Sequence, residues 1–249
     1  MTQMNYNEYH LSILEYIAYG SGFMTVLLIV VFLFFNSVIP VLLLSPFMIV
    51  YYKFIRRYLC EKRKNLLVYE FRDFINALSA SLNSGYALEN AVKEAHKEML
   101  ILYGRHSYMN AEADIMLKLL ALNIPIEKIF ADFANRCQCT DIITFSQIII
   151  IAKRNGGDLI SIIKSSSETI SEKISLKNDI ATTIAAKQFE QNIMFVMPIA
   201  IMTYIRCMSE GYFDPVYHTP VGIALMTACL IIYIFAVILG LKISRIKIG

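Results

Sequence analysis

The placement of basic residues constrains this chain of 249 residues more than any other feature. All but one of its 23 lysines and arginines lie in residues 53–187 or in the last eight residues. The first 52 residues contain none, and the remaining one is Arg206. Because basic side chains near membrane spans stay on the cytoplasmic side, this distribution predicts two membrane blocks, a cytoplasmic domain between them and a cytoplasmic C-terminus.

The composition agrees with a membrane protein. Hydrophobic residues make up 57% of the chain and the mean hydropathy is +0.53, too apolar for an ordinary soluble domain. No basic cluster is interleaved with aromatic residues, so we do not expect nucleic-acid binding. The five cysteines lack zinc-site spacing and are interpreted as ordinary thiols, so neither a metal nor a cofactor is expected.

The N-terminal apolar block is long enough for two spans. Residues 23–52 are almost wholly apolar but are interrupted by Asn36, Ser37 and Pro40, whereas one span needs about 20 residues. We interpret the block as a tight helical hairpin with spans at about 14–35 and 38–55. The alternative is one kinked span with the N-terminus outside. Basic residues at 53–64 anchor the block, and recognition of anionic lipid is a second interpretation of them.

The C-terminal block predicts two further spans, at about residues 192–208 and 220–241. The first contains Pro198 and has Lys187 and Arg206 near its ends, where they can snorkel. The loop 209–219 has no lysine or arginine and is expected outside the cell. No span has an ionisable residue near its centre, as transporters and pumps usually do, so the membrane part is interpreted as an anchor and scaffold.

Residues 65–190 are predicted to be helical throughout, because apolar residues recur at helical spacing and no stretch alternates with period two. Short breaks near 104–108 and 137–140 accompany three stronger ones. Glycine and asparagine tolerate the left-handed conformation that ends a helix, and proline suits a first helical turn. We therefore expect about six helices packed as antiparallel hairpins. The candidate structural turn residues are Gly85, Asn123, Pro125, Gly156 and Gly157.

The last of these helices is predicted to be long. After Asp158 there is no helix breaker until Pro198, which lies within the third predicted span. We expect one continuous helix to join the cytoplasmic domain to that span, with a bend near Lys187 as the alternative.

No catalytic chemistry is predicted. Gly156-Gly157 lacks the lysine and the hydroxyl residue of a phosphate-binding loop, and no strand precedes it. The four histidines are scattered, and Glu168 and Glu172 read as a solvated helix face. We expect the chain not to be an enzyme. A small transporter or channel subunit, and a membrane-bound enzyme, remain the alternatives.

Four segments, in this order, resemble the type II secretion system F domain. Residues 71–91 resemble its opening helix, glycine turn and second helix start. Residues 122–129 resemble its middle turn, with Asn123 where the family usually has glycine. Residues 155–159, Asn-Gly-Gly-Asp-Leu, resemble its Gly-Gly-x-Leu turn, and residues 185–188 resemble its closing segment. The resemblance covers about residues 65–241, and a single such domain between spans is similar to the TadB/TadC-type platform proteins of Tad (Flp) pilus systems.

The resemblance implies a platform protein of the bacterial inner membrane. Such proteins engage a cytoplasmic hexameric ATPase and help to move pilin subunits from the membrane into a filament, beside a second platform subunit or a copy of themselves. They have no catalytic residues. The expected contact surface lies near the turns, because loops at the end of a rigid bundle are accessible. The candidate partner residues are Glu89, Lys128, Arg154 and Asp158, with the basic segment 53–64 as the alternative.

The expected fold is therefore an all-α membrane protein with a cytoplasmic helical bundle between two pairs of transmembrane helices. The predicted domains are an N-terminal transmembrane hairpin at 1–57, the cytoplasmic helical domain at 58–190, and a C-terminal transmembrane pair with a basic tail at 191–249.

Overall fold

The computed structural model describes residues 6, 11–36, 41, 46–154, 159–209, 211–217 and 219–244. Every regular element among these residues is a helix, which confirms the all-α prediction. The helices are α1 (Ile13–Phe35), α2 (Phe47–Asn83), α3 (Leu88–Tyr103), α4 (Tyr108–Ala121), α5 (Ile126–Cys137), α6 (Thr140–Arg154), α7 (Leu159–Met208), α8 (Asp214–Tyr217) and α9 (Pro220–Ser244).

Within the described residues, three helical segments are long and apolar enough to cross a membrane: Ile13–Phe35, Ile160–Met208 and Pro220–Lys242. The chain is thus a membrane protein by length and composition of its helices. The span predicted at 38–55 lies partly outside the described residues and stays a prediction.

The chain divides into two compact units. One consists of residues 1–10 and 55–176, and is called the bundle unit below; the other consists of residues 11–54 and 177–249, and is called the apolar unit. Helices α2 and α7 each contribute residues to both units as uninterrupted helices. The assignment of cytoplasmic and membrane domains to these residues remains a prediction.

The bundle unit has an aromatic core. Phe71, Phe74, Phe130, Phe133 and Phe145 are all at most 1% exposed. The Phe145 ring meets the Phe71 and Phe130 rings edge-on, with centroids 5.4 and 5.2 Å apart. Such pairs add about 0.5–1.5 kcal/mol to the burial of the rings, so α2, α5 and α6 are fixed together at this point.

The helices of the bundle unit run antiparallel to their neighbours, as polar contacts between them show. Each contact joins positions that only opposite helix directions can bring together. The pairs are Asp73 with Tyr103, His96 with Asp114, Glu112 with Arg136, Glu127 with Lys153, Asp141 with Lys173, and Asn76 with Ser167. The end of α2, the start of α3, the end of α4, the start of α5 and the end of α6 therefore share one end of the bundle, which we call the turn end.

In the apolar unit, the start of α2 folds back along α1. Tyr52 stacks on Tyr16 with ring centroids 3.9 Å apart and donates a hydrogen bond to the Tyr16 carbonyl at 2.8 Å. Tyr51 stacks on Phe23 at 4.6 Å. Helix α1 ends at Asn36, whose φ of 47° is the left-handed conformation of a helix C-cap. The start of α2 is therefore antiparallel to α1.

The carbonyl end of α1 is capped by groups from far along the sequence. Arg206 of α7 donates to the Phe32 carbonyl at 2.6 Å and to the Asn36 side-chain oxygen at 2.5 Å, and its guanidinium lies 4.0 Å from the Phe32 ring centroid. The Tyr217 hydroxyl donates to the Leu33 carbonyl. Carbonyls in the last turn of a helix take partners from outside it; the Phe32 carbonyl also accepts from the Asn36 N–H at 3.2 Å, so Arg206 is a second donor to it. Arg206, expected to snorkel, thus also has acceptors in the protein.

Close backbone contacts position α9. Its Tyr233 hydroxyl donates to the Phe195 carbonyl of α7 at 2.6 Å. Gly222, near the start of α9, lies directly against the backbone of Val216 in α8, where a Cβ atom would come within 2.1 Å of the Val216 carbonyl oxygen.

Candidate functional site

Two of the predicted turn residues have left-handed backbone conformations at the turn end. Gly85, between α2 and α3, has φ of 87°, and Asn123, between α4 and α5, has φ of 59°. The Asn123 N–H donates to the Leu120 carbonyl at 2.8 Å. Asparagine is one of the few residues other than glycine that adopts this conformation routinely, which explains how the turn forms without glycine.

The sequence predicts Pro125 in the first turn of a helix, and in the structure it lies one position before that turn. It is the N-cap of α5, and its carbonyl accepts hydrogen bonds from the N–H groups of Lys128 and Ile129 at 3.0 and 3.2 Å. Its ring fixes φ near −58°. Proline thus sets the direction in which α5 leaves the turn.

The predicted partner residues that are described all lie at the turn end. Glu89 is in the first turn of α3, Lys128 in the first turn of α5 and Arg154 at the end of α6, and all three are exposed. The predicted residues Gly156, Gly157 and Asp158 lie outside the described residues.

An ion pair fixes two of these helix ends to each other. The Lys153 ammonium of α6 donates to Glu127 Oε2 of α5 at 2.8 Å, although the two residues are 26 positions apart. Burial raises the pKa of the Glu127 carboxyl, but the hydrogen bond and charge of Lys153 outweigh it and hold that pKa below its usual value. The neighbouring Lys128 and Arg154 are therefore presented from two helices held in register.

Sequence reasoning missed the apolar part of this surface. Tyr86 and Leu122, in the two described turns, are 49% and 71% exposed, and Ile151 in the last turns of α6 is 58% exposed. Large exposed apolar side chains close to charges are typical of protein interaction sites. The sequence signal that could have indicated this surface is the presence of a tyrosine and a leucine in turn segments, where polar residues are usual.

A buried polar cluster lies away from the turn end and was also missed. Glu112 of α4 is 1% exposed and accepts two hydrogen bonds from Arg136 of α5, at 2.8 and 2.6 Å. It also accepts one from the Tyr6 hydroxyl at 2.9 Å. Burial lowers the pKa of Arg136, but the hydrogen bonds that it donates to Glu112 and the charge of that carboxylate outweigh burial and raise it. The contact is bidentate, which is the strongest geometry for a guanidinium and a carboxylate.

A shallow groove of about 350 Å³ runs between α6 and α7. Its floor is apolar and includes Phe145 and Ile148, and hydroxyl residues such as Thr144 and Ser166 line its sides. The ion pair between Lys173 and Asp141, at 2.6 Å, closes one end. The groove contains no strongly polar group apart from that pair.

Comparison with protein-family models, with curated proteins and with solved structures finds no match for this chain. Among the described residues, no three His, Cys, Asp or Glu side chains converge as metal ligands. The candidate site is therefore defined by its geometry alone: an exposed turn end on a bundle with a fixed core.

The left-handed turn at Gly85 makes a direct prediction. A Cβ atom at this position would meet no atom within 4 Å, so any loss on substitution comes from the backbone conformation alone. We expect Gly85→Ala to lower the free energy of unfolding by about 1 kcal/mol, and Gly85→Asn to lower it less, since asparagine tolerates this conformation. Thermal unfolding in detergent measures both. Equal losses for the two variants would contradict the backbone explanation.

Proposed function

We propose that this protein is a platform of the bacterial inner membrane in a Tad/type IV-like pilus or type II secretion-like machine, and that it couples a cytoplasmic assembly ATPase to the insertion of pilins into a filament. The proposal rests on the sequence resemblance and on one structural observation. The turn end combines exposed charges at Lys128 and Arg154 with exposed apolar side chains at Tyr86 and Leu122.

Such a surface suits a partner protein that exerts force on this chain and carries out no chemical reaction with it. Aromatic and aliphatic side chains supply binding energy at the centre of an interface, while rim charges act mainly on the association rate and its dependence on salt. The ion pair of Glu127 with Lys153 and the aromatic core hold this surface in one arrangement. A force applied there is therefore passed to the helices and not absorbed by a loop.

Continuous helices support the coupling that the proposal requires. Helix α7 extends from Leu159 to Met208 and includes Pro198, which lacks the N–H for one backbone hydrogen bond. The other turns of a helix are hydrogen-bonded to one another, so it transmits displacement better than a flexible linker does. In the proposal, the bundle unit receives the ATPase, and the apolar helices contact pilins, lipid and a second platform subunit or a second copy of this chain.

The proposed topology places the bundle unit and the C-terminus in the cytoplasm and residues 209–219 outside. The distribution of lysine and arginine supports this orientation. The antiparallel packing of Tyr52 on Tyr16 supports a hairpin for residues 11–54, since it returns the chain to the level at which α1 begins.

Charge reversal at the turn end tests the proposed contact. In the double variant Lys128→Glu, Arg154→Glu, we expect weaker co-purification of the assembly ATPase and fewer pili. The reason is that two exposed positive charges, complementary to the ATPase surface in the proposal, become negative and repel it. The amount of the protein in the membrane should be unchanged, because neither side chain is buried. Affinity purification at two salt concentrations, together with pilus counts, measures the effect.

A matched control is the double variant Arg105→Glu, Lys97→Glu. Arg105 lies in the turn between α3 and α4 at the opposite end, and Lys97 pairs with the half-buried Glu94, at 2.6 Å, a contact worth little. We expect this variant to bind the ATPase normally. Equal binding by both double variants would place the ATPase contact elsewhere and remove the support that the turn end gives.

A further inference from the structure

Tyr6 lies inside the bundle unit although the apolar block 11–54 separates it from the rest of that unit in sequence. Its exposed fraction is 0%. Its hydroxyl donates to Glu112 Oε1 of α4 at 2.9 Å, and its ring meets the Tyr108 ring edge-on, with centroids 6.3 Å apart. A buried tyrosine with a satisfied hydroxyl is a fixed contact, since removing either the ring or the hydroxyl partner costs stability.

The main chain of Tyr6 is held as well. Arg63 of α2 donates to the Tyr6 carbonyl at 2.9 Å, and its guanidinium lies 5.7 Å from the centroid of the Tyr6 ring. The Cys60 thiol lies 3.3 Å from the same carbonyl oxygen. Side chain and backbone of one residue are thus bound by two different helices.

The acceptor in this pocket is held in position independently of Tyr6. Glu112 is oriented by the two hydrogen bonds from Arg136, and Arg136 is itself fixed by Asp132 at 2.9 Å. A carboxylate held in this way keeps a lone pair directed at the hydroxyl without reorganising, which favours binding. The bundle therefore does not need Tyr6 to keep the pocket formed.

We propose that α2, α4 and α5 form a binding pocket for a tyrosine side chain, and that Tyr6 of this chain is the occupant docked in it. The ligand class is a phenol with an adjacent backbone carbonyl. The ring packs against Tyr108, the hydroxyl donates a hydrogen bond to Glu112, and the carbonyl accepts one from Arg63. This assignment is independent of the pilus function proposed above and needs no partner protein.

The docking of Tyr6 has a consequence for the apolar block 11–54. Residue 6 and residue 63 must lie on the same face of the membrane, because they are in contact. The chain between them then crosses the membrane twice or not at all. This favours the hairpin over a single kinked span with the N-terminus outside.

Alkylation of Cys60 in the full-length protein in detergent tests the pocket. Peptide mass spectrometry after timed exposure to N-ethylmaleimide resolves Cys60 from the four other cysteines. We expect Tyr6→Ala to speed Cys60 alkylation by about tenfold or more, because residue 6, whose carbonyl contacts the Cys60 thiol, is no longer docked. Tyr6→Phe keeps the ring but loses the bond to Glu112, so its increase should be smaller. Tyr86→Ala, at an exposed tyrosine of the same unit, should leave the rate unchanged.

Cys137, buried in the bundle core, is an internal reporter of global unfolding. Faster alkylation of Cys60 with Cys137 still protected supports the docking of Tyr6 in a preformed pocket. An unchanged Cys60 rate in Tyr6→Ala overturns it, and so does an equal acceleration of Cys60 and Cys137, which would mean that Tyr6 stabilises the fold as a whole.

A second measurement checks the same-face consequence. A cysteine introduced by Thr2→Cys and one introduced at the exposed Arg105 of the bundle unit by Arg105→Cys should respond alike to a membrane-impermeant maleimide, in intact cells and in inverted membrane vesicles. Labelling of the two positions from opposite faces of the membrane would overturn the docking of Tyr6.

Discussion

Replacing Arg136 by methionine should lower the free energy of unfolding by about 3–5 kcal/mol, because it leaves the Glu112 carboxylate without its cationic partner. Glu112 is 1% exposed and Arg136 14% exposed, so water cannot take the place of the missing guanidinium. The measurement is thermal unfolding in detergent, followed with a dye that fluoresces on reaction with thiols as Cys137 becomes accessible.

The matched control removes both charges. Burying two charges has its own desolvation cost, so replacing a buried pair by apolar groups of similar volume is much less harmful than breaking it. We expect the double variant Glu112→Met, Arg136→Met to be more stable than Arg136→Met alone, with the lost hydrogen bond to Tyr6 as its remaining defect. A double variant that is the less stable of the two would contradict this account of the cluster.

Substitution of Gly222 should also lower the stability of the protein strongly. A Cβ atom there would lie 2.1 Å from the carbonyl oxygen and 2.7 Å from the Cα atom of Val216. These are backbone atoms that cannot rotate away, so α8 or α9 must shift. We expect Gly222→Ala to destabilise the protein by about 1–3 kcal/mol, in the range of overpacked sites. The midpoint of thermal aggregation in detergent reports the change.

Gly22→Ala is the control for this substitution. Gly22 lies within α1, where an added Cβ atom would meet nothing within 4 Å. Alanine is the better helix former by about 1 kcal/mol, so this variant should be neutral or slightly stabilising. A loss at Gly22 as large as at Gly222 would mean that glycine is needed in these helices for a reason other than close packing.

The helices could be predicted from sequence because their signals are local. Apolar spacing near 3.6 residues marks Phe71, Phe74 and Leu78 as one face of a helix, and these residues are fully buried. Turn chemistry is local as well: Gly85 and Asn123 take the left-handed conformations that their residue types favour. Nothing in these arguments requires knowledge of what lies far away in the sequence.

The buried polar contacts could not be predicted for the opposite reason. Tyr6 and Glu112 are 106 positions apart, and neither belongs to a recognisable motif. In the sequence, Arg136 is an ordinary charged residue near the end of a predicted helix. Its burial depends on how α4 and α5 pack against each other. The exposure of Leu122 was missed likewise, since an apolar residue in a turn can face either way until the neighbouring helices are placed.

The cap of α1 by Arg206 imposes an order on biosynthesis. The Phe32 carbonyl and the guanidinium that donates to it are 174 residues apart. At a synthesis rate of roughly 5–20 residues per second, about 9–35 s pass between the two. During that interval α1 is already made while its carbonyl end lacks this donor. The cap therefore forms only after α7 has been synthesised as far as residue 206.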